Sequence, residues 1–310
     1  MAPSPESFQR WLRMQPNFEA AAVRSIEPVD GGASNITCHV ALETAPVTAV
    51  ALRVQRGRGI FEPYDVIREG EVLRRLQASA VPVPALIGSE ADTRYLGAPF
   101  IVMEWVDAPH MGLAPDASFT AYTSTVAAIH DLDWRALGLD FLGAPANASN
   151  ALHNEITVVA NRMDGFGCAA DPLLVRARDT LLRTIPTDGH LTLCQGDINV
   201  FNYLFRGGKV VCVVDWEQAR IGDPRSDVGQ LVALSHLKGA PFGPASQQTF
   251  VQAYAAASGR PLPGMEFFRA LWLFELGVIY HGWVSLNASE PWYSLAHLSG
   301  LLNASLAELG

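Results

Sequence analysis

The sequence predicts an α+β protein in two lobes, β-rich over residues 1–106 and mainly helical over residues 107–310. Three observations carry that expectation. Between residues 24 and 106, short apolar and β-branched runs alternate with Gly, Pro and Asn breaks, the pattern of strands and turns. Beyond Asp107, apolar residues recur at helical spacing, as Phe119, Tyr122, Val126 and Ile129 do. Between residues 191 and 229, two strand-like runs bracket a polar loop and bring Asp197, Asn202 and Asp215 to one end.

In the first lobe, Ser4-Pro5 can cap and start a helix over Phe8, Trp11 and Leu12. Strands are expected at 24–29, 36–43 and 47–54. Asp30-Gly31-Gly32-Ala33-Ser34-Asn35 joins the first two. It is either an ordinary hairpin turn or a loop that offers backbone N–H groups to phosphates. A helix over 62–78 carries Glu69 and Glu71, and Pro82-Val83-Pro84 ends it and enters a strand pair. Residues 99–106 read as a buried strand running into Glu104, Trp105 and Val106.

In the second lobe, a helix over 116–130 ends at His130, a loop-rich connection covers 132–150, and helices follow at 151–162 and 172–185. Residues 191–194 form a buried strand that breaks at Gln195-Gly196-Asp197. Tyr203-Leu204-Phe205 is extended again, Arg206-Gly207-Gly208 turns the chain, and 209–214 leads to Asp215. Helices are expected at 224–237, 244–258, 265–286 and 291–306.

Three oxygen-bearing side chains at one end of a hairpin suit a hard divalent cation. They also suit phosphoryl transfer, which needs a carboxylate for the attacking hydroxyl's proton and oxygen ligands for Mg²⁺ on nucleotide phosphates. Asp197 and Asn202 have the Asp-x-x-x-x-Asn spacing, and Asp215 follows thirteen residues later. That spacing alone is common by chance, and the acids could merely cap solvated turns. The flanking strands, the second Asp and the Gly222-Asp223-Pro224-x-x-Asp227 tail make the combination specific. Gly165-Phe166-Gly167-Cys168-Ala169-Ala170 matches a dinucleotide fingerprint but follows a helix rather than a strand, which excludes it. The sequence has no Gly-x₄-Gly-Lys-Ser/Thr loop.

Residues 194–202, Cys-Gln-Gly-Asp-Ile-Asn-Val-Phe-Asn, resemble the His-Gly-Asp-x-x-x-x-Asn loop of the aminoglycoside phosphotransferase-like family. These are small-molecule kinases, choline kinase types included, that share the protein-kinase fold. Val214-Asp215-Trp216-Glu217 resembles the family's Ile-Asp-Trp-Glu segment, while Gln195 replaces its usual loop-bracing His. The resemblance implies a two-lobed protein-kinase-like fold with ATP and Mg²⁺ as cofactors. It makes Asp197 the base, Asn202 and Asp215 the metal ligands, Asp227 a loop brace and His130 a structural helix end. It sets Gly31, Gly32, Ser34 and Asn35 in a turn over the phosphates. The only lysines are Lys209 and Lys238, so Arg53 is the candidate phosphate clamp, as in part of the family. Alignment favours Glu69 as its partner, with Glu71 a short shift away. Glu104 and Val106 fall in the interlobe linker, where backbone groups would bond adenine.

Composition narrows the partners. Hydrophobic residues make up 49% and charged residues 17% of 310 residues, as in a soluble globular chain with room for a core. A net charge of −9 argues against a nucleic-acid partner. The longest apolar segment, 270–286, is interrupted by Glu275 and His281, which argues against a membrane span. Cys38, Cys168, Cys194 and Cys212 lack metal-type pairing, and MAPSPESFQRWL lacks a signal-peptide core. Both point to the cytoplasm. The expected acceptor is a hydroxyl on a small, partly apolar molecule such as a hydroxyacyl compound. Trp272, Phe274, Tyr280, His281, Trp283, Trp292 and Tyr293 could wall such a pocket, although aromatics at helical spacing are more often core. After Leu231 the only acids are Glu266, Glu275, Glu290 and Glu308, few for a polycation. An aminoglycoside or macrolide kinase is the alternative, with Asp140, Glu155, Asp164 and Asp171 to supply charge. A nucleotide-binding pseudokinase is a third reading, opposed by the intact Asp197, Asn202 and Asp215.

Overall fold

The computed structural model describes residues 5–29, 34–237 and 244–310, the side chains of 244–248 excepted. The chain forms two compact units, Met1–Ala108 with Cys212–Glu217, and Pro109–Val211 with Gln218–Gly310. The expected division assigned everything after 106 to the second part, whereas the short segment carrying Asp215 groups with the first.

The first unit is an antiparallel sheet with a helix at its start and another between its third and fourth strands. Its strands are β1 (Val23–Pro28), β2 (Ile36–Leu42), β3 (Ala49–Val54), β4 (Leu86–Glu90) and β5 (Phe100–Glu104), in the order β1-β2-β3-β5-β4. Helix α1 (Pro5–Leu12) buries Phe8, Trp11 and Leu12 in a core shared with Val40, Val50, Leu52 and Phe100. Trp11 meets Phe100 edge-on at 4.8 Å, and its indole N–H donates to Glu90 at 3.1 Å. Helix α2 (Val66–Leu76) starts four residues later than expected because Asp65 caps it, its carboxylate accepting the Arg68 N–H at 2.9 Å.

The second unit is mainly helical. Helix α3 (Phe119–His130) is capped by Ser118, α4 (Ala148–Gly165) by Asn147, and α5 (Pro172–Arg183) by Asp171. The Asn147 cap starts α4 inside the stretch expected as loop. Strands β6 (Thr192–Cys194) and β7 (Tyr203–Arg206) flank the polar loop, and β8 (Lys209–Val213) follows the Gly207-Gly208 turn, its last two residues, Cys212 and Val213, counting with the first unit. A strand not foreseen, β9 (Arg220–Gly222), pairs antiparallel with β6; three residues are too few to show alternation. Helices α6 (Pro224–Leu234), α7 (Pro244–Ser258), α8 (Met265–Asn287) and α9 (Leu295–Glu308) complete the unit. Helix α8 is apolar nearly all round and is the central buried helix, packing against α4, α5, α6 and α9. All four cysteines are buried free thiols, and no described helix is long and apolar enough to cross a membrane.

Candidate active site

In the first unit, strand alternation turns Val50, Leu52 and Val54 into the core and leaves Arg53 on the opposite face. The buried guanidinium meets Glu69 of α2 at 2.8 Å, Asp215 at 2.7 Å and Glu217 at 2.8 Å. One guanidinium meets three acids, and that of Arg68 donates to the Glu217 main-chain carbonyl at 3.1 Å. Burial pushes the Glu69 carboxyl up to about 7 against the pull of Arg53. Burial, with Asp215 beside it, pushes Glu217 up to about 8. Of the two helix acids left open by the sequence, Glu69 pairs with Arg53, whereas Glu71 bridges Arg74 and Arg75 on the outer side.

Glu217 also gathers the turn after β1. Its Oε2 accepts the Asn35 Nδ2–H at 2.9 Å, and the buried Ser34 hydrogen-bonds to it as well. Asn35 Oδ1 in turn accepts the Arg56 N–H at 3.1 Å. Asp215 has φ +63°, a left-handed conformation that Asp tolerates better than most residues. Trp216 anchors the segment, its buried indole N–H donating to the Val213 carbonyl at 3.0 Å.

In the second unit, β6 runs into a bend at Gly196. Its φ is +88°, and a Cβ there would stand 2.3 Å from the Gln218 carbonyl oxygen, so only glycine fits. The Gln195 and Gly196 N–H groups donate to buried Asp227 of α6 at 2.8 and 3.1 Å. Asp227 also lies 3.2 Å from His130 Nε2 and 3.7 Å from Arg220, and His130 Nδ1 lies 2.7 Å from the Tyr254 hydroxyl. Burial alone would raise the Asp227 carboxyl, but its hydrogen bonds and Arg220 outweigh that and hold it low. Gln195 is fully buried, and its Oε1 accepts the Tyr203 hydroxyl at 2.6 Å. The loop is therefore braced through its backbone by Asp227, and a Gln in place of a His is absorbed.

Asp197 is held on both carboxylate oxygens. Oδ2 accepts Asn202 Nδ2–H at 3.0 Å, and Oδ1 accepts Gln230 Nε2–H at 2.5 Å and the Asn199 N–H at 3.4 Å. Asn202 Nδ2 also donates to the Asp197 carbonyl at 3.0 Å, so its amide oxygen is the atom it can offer a cation. Within the first unit, Asp215 and Glu217 offer only oxygen donors, the ligand chemistry of Mg²⁺ sites. A carboxylate oriented in this way can take a proton from an attacking hydroxyl.

The remaining expectations divide. Gly31 and Gly32 lie outside the described residues. Glu104 ends β5 and donates its N–H to the Ala85 carbonyl at 2.8 Å, so its own carbonyl is what it can offer a ligand; Val106 lies two residues on. The aromatic pocket needs correction, because Trp272, Phe274, Tyr280 and Tyr293 are buried in the core, and only Trp292 is well exposed at 58%. Among the four acids considered for a polycation, Glu155 is paired with Arg220 at 2.8 Å and bonded to Ser226. Asp171 caps α5 at 2.9 and 3.0 Å, while Asp140 and Asp164 are exposed. Sequence reasoning gave no role to Glu217 or Gln230. Glu217 stood in the quoted Asp-Trp-Glu segment, and Gln230 lies one turn after Asp227 on a predicted helix.

The model of the APH family, described as a phosphotransferase enzyme family, matches residues 25–271. Acyl-CoA dehydrogenase family member 10 of Mus musculus is 23% identical over 335 residues, covering 100% of this chain and 31% of its own. Acyl-CoA dehydrogenase family member 11 of Homo sapiens is 26% identical over 316 residues, covering 90% and 39%. The chain thus spans about a third of the length of these curated relatives. A protein put forward as an aminoglycoside phosphotransferase, from Ralstonia eutropha JMP134, matches with TM-score 0.72 and 22% identity over 99% of this chain and 97% of that one. Macrolide 2′-phosphotransferase type I matches with TM-score 0.62 and 16% identity over 100% and 99%. At these identities the likeness is one of fold, and it is the protein-kinase-like α+β fold that the sequence predicts.

Proposed function

The chain belongs to the phosphotransferase enzyme (APH) family, and from that premise we propose that it is an ATP-dependent kinase acting on a hydroxyl of a small, partly apolar molecule. The observation that carries this reading is the charge imbalance at Arg53, one guanidinium against Glu69, Asp215 and Glu217. Surplus carboxylate oxygens around a fixed cation suit a site that receives a divalent metal with a polyphosphate. Asn202 and Asp215 would hold Mg²⁺, which supplies charge neutralisation on the phosphates when bound.

The chain's own residues do the rest. Glu69 fixes Arg53, whose Nη2 arm the phosphates would share. Ser34 and Asn35 would place backbone N–H groups over the phosphates. The Glu104 carbonyl and the Val106 N–H would meet the donor and acceptor on one edge of adenine. Asp197 receives the acceptor's hydroxyl proton as that oxygen bonds to the γ-phosphorus and the bond to the ADP oxygen breaks.

For the acceptor, the relatives' names speak of acyl-CoA dehydrogenases, which supports a hydroxyacyl group. The pairing of Glu155 and the capping role of Asp171 leave little convergent negative charge for a polycation, and burying unpaired ammonium groups is costly. The test is ADP release over a panel of hydroxyacyl-coenzyme A thioesters, free hydroxy acids, kanamycin and erythromycin. Turnover of a hydroxyacyl compound is expected. Kanamycin turnover at micromolar KM, lost on neutralising Asp140 and Asp164, would overturn the acceptor assignment in favour of an antibiotic kinase.

A further inference from the structure

Gln230 lies on α6 one turn after Asp227, and every residue of that helix from Pro224 to Leu234 is buried. The two side chains share a helix face and hold the same loop. Asp227 accepts the N–H groups of Gln195 and Gly196, and Gln230 donates Nε2–H to Asp197 Oδ1 at 2.5 Å. Only the amide nitrogen can face a carboxylate, so the orientation of the Gln230 amide is fixed. Its Oε1 then points into the protein, where it is buried and meets no donor among the described residues.

A buried acceptor without a donor destabilises the fold. Met fills nearly the same volume without that cost. The chain therefore carries an unfavourable polar group whose side-chain hydrogen bond, among the described residues, goes to the carboxylate read as the base. The helix that carries it is held in register. Its N-cap Asp223 accepts the Arg225 N–H at 2.9 Å, and the Trp272 indole N–H donates to the Ser226 carbonyl at 2.5 Å. Gln230 thus reaches Asp197 from a rigid element, while Asn202 reaches it from the loop itself.

We propose that Gln230 is a positioning residue for phosphoryl transfer, its Nε2 fixing the Asp197 carboxylate in the rotamer that receives the acceptor's proton. The proposal rests on the kinase reading of Asp197. It differs from a packing role in its consequences, because a packing residue would set stability and leave the rate of each folded molecule alone.

Wild type, Gln230→Met, Gln230→Asn and Asp197→Asn are compared for ADP release at saturating ATP·Mg²⁺. The acceptor is the panel compound that the wild type turns over fastest, or water if none is turned over. Rates are expressed per folded molecule, counted by ADP-binding stoichiometry. Gln230→Met should hold or raise its melting temperature and keep its KM for ATP while kcat falls on the order of 10²-fold, the scale of a misplaced catalytic group. Gln230→Asn, one methylene short, should not restore the rate. A Gln230→Met chain with wild-type kcat per folded molecule, beside an inactive Asp197→Asn, would overturn the proposal and leave the kinase reading standing. An Asp197→Asn chain as fast as wild type, or a wild type that releases no ADP, would remove that reading and this proposal with it.

Discussion

In the proposed reaction Arg53 and Asp197 serve in different ways, and substitution separates them. Removing the Arg53 charge leaves Glu69 and Glu217 buried without their cation. Stranding a buried charge costs about 3–5 kcal/mol, so Arg53→Met should lose stability on that scale in urea titrations. Arg53→Lys keeps the charge but loses the fork that reaches three carboxylates at once, and should fall between Met and wild type. If Arg53→Met unfolds at the wild-type urea concentration, the cluster is not the electrostatic unit described. Asp197 is the opposite case. Asp197→Asn should fold and bind ATP·Mg²⁺ while single-turnover transfer slows about 10²–10⁴-fold, the usual worth of a general base. A near wild-type single-turnover rate would rule Asp197 out as the base.

At the scale of elements, the polar loop depends on a glycine bend and on one helix behind it. Gly196 and Gly167 both have positive φ, +88° and +71°, but only at Gly196 would a Cβ strike backbone, the Gln218 carbonyl. Gly167→Ala should cost about 1–2 kcal/mol, the strain of an L-residue in that region. Gly196→Ala should cost clearly more by thermal unfolding and also slow turnover, because Asp197 follows it directly. Equal costs at the two sites would mean that the loop yields freely. Much of this was legible in the sequence. The strand before the bend and the Gly207-Gly208 turn are local patterns, and local patterns survive without coordinates. Long-range pairing was not. Which acid meets Arg53 is a matter of helix face: Glu69 falls on the buried Val66, Leu73 and Leu76 stripe of α2, and Glu71, two residues on, falls on the opposite side, but that this stripe faces the sheet is a tertiary fact. The partners of Glu155 and the burial of Trp272 depended on how helices pack against α8, which no spacing reveals. Helix starts moved for a simpler reason, as Asp65 and Asn147 caps outweighed the apolar pattern that suggested other boundaries.

The whole chain carries a net charge of −9, so general self-repulsion grows above neutral pH and a falling melting temperature alone is not diagnostic. The Arg53 cluster adds a specific contribution with a definite sign. An acid whose folded pKa stands above its unfolded value keeps its proton in the fold where the unfolded chain has lost it, so stability falls as pH rises. That fall runs from the ordinary value of 4.5 to about 7 for Glu69 and to about 8 for Glu217. Buried Glu155 is also raised and adds to it. His110 and His190 are lowered, chiefly by burial, and pull the other way, but only up to their ordinary 6.5. Asp227 is lowered from 3.8, so its contribution is complete well below neutrality. Between pH 6.5 and 8.5, therefore, the metal-free chain should lose melting temperature in EDTA. Saturating Mg²⁺ with ADP should reduce that loss, because a divalent cation stabilises the deprotonated carboxylates and its binding releases protons. Glu217→Gln removes one of the two raised acids of the cluster while changing the net charge by one. It should flatten the pH slope in EDTA and shrink the proton release measured by calorimetry in buffers of different ionisation enthalpy. A Glu217→Gln chain with the wild-type slope and the wild-type proton release would show that the pH dependence comes from the overall charge, and would separate Glu217 from the metal-binding chemistry proposed for Asp215.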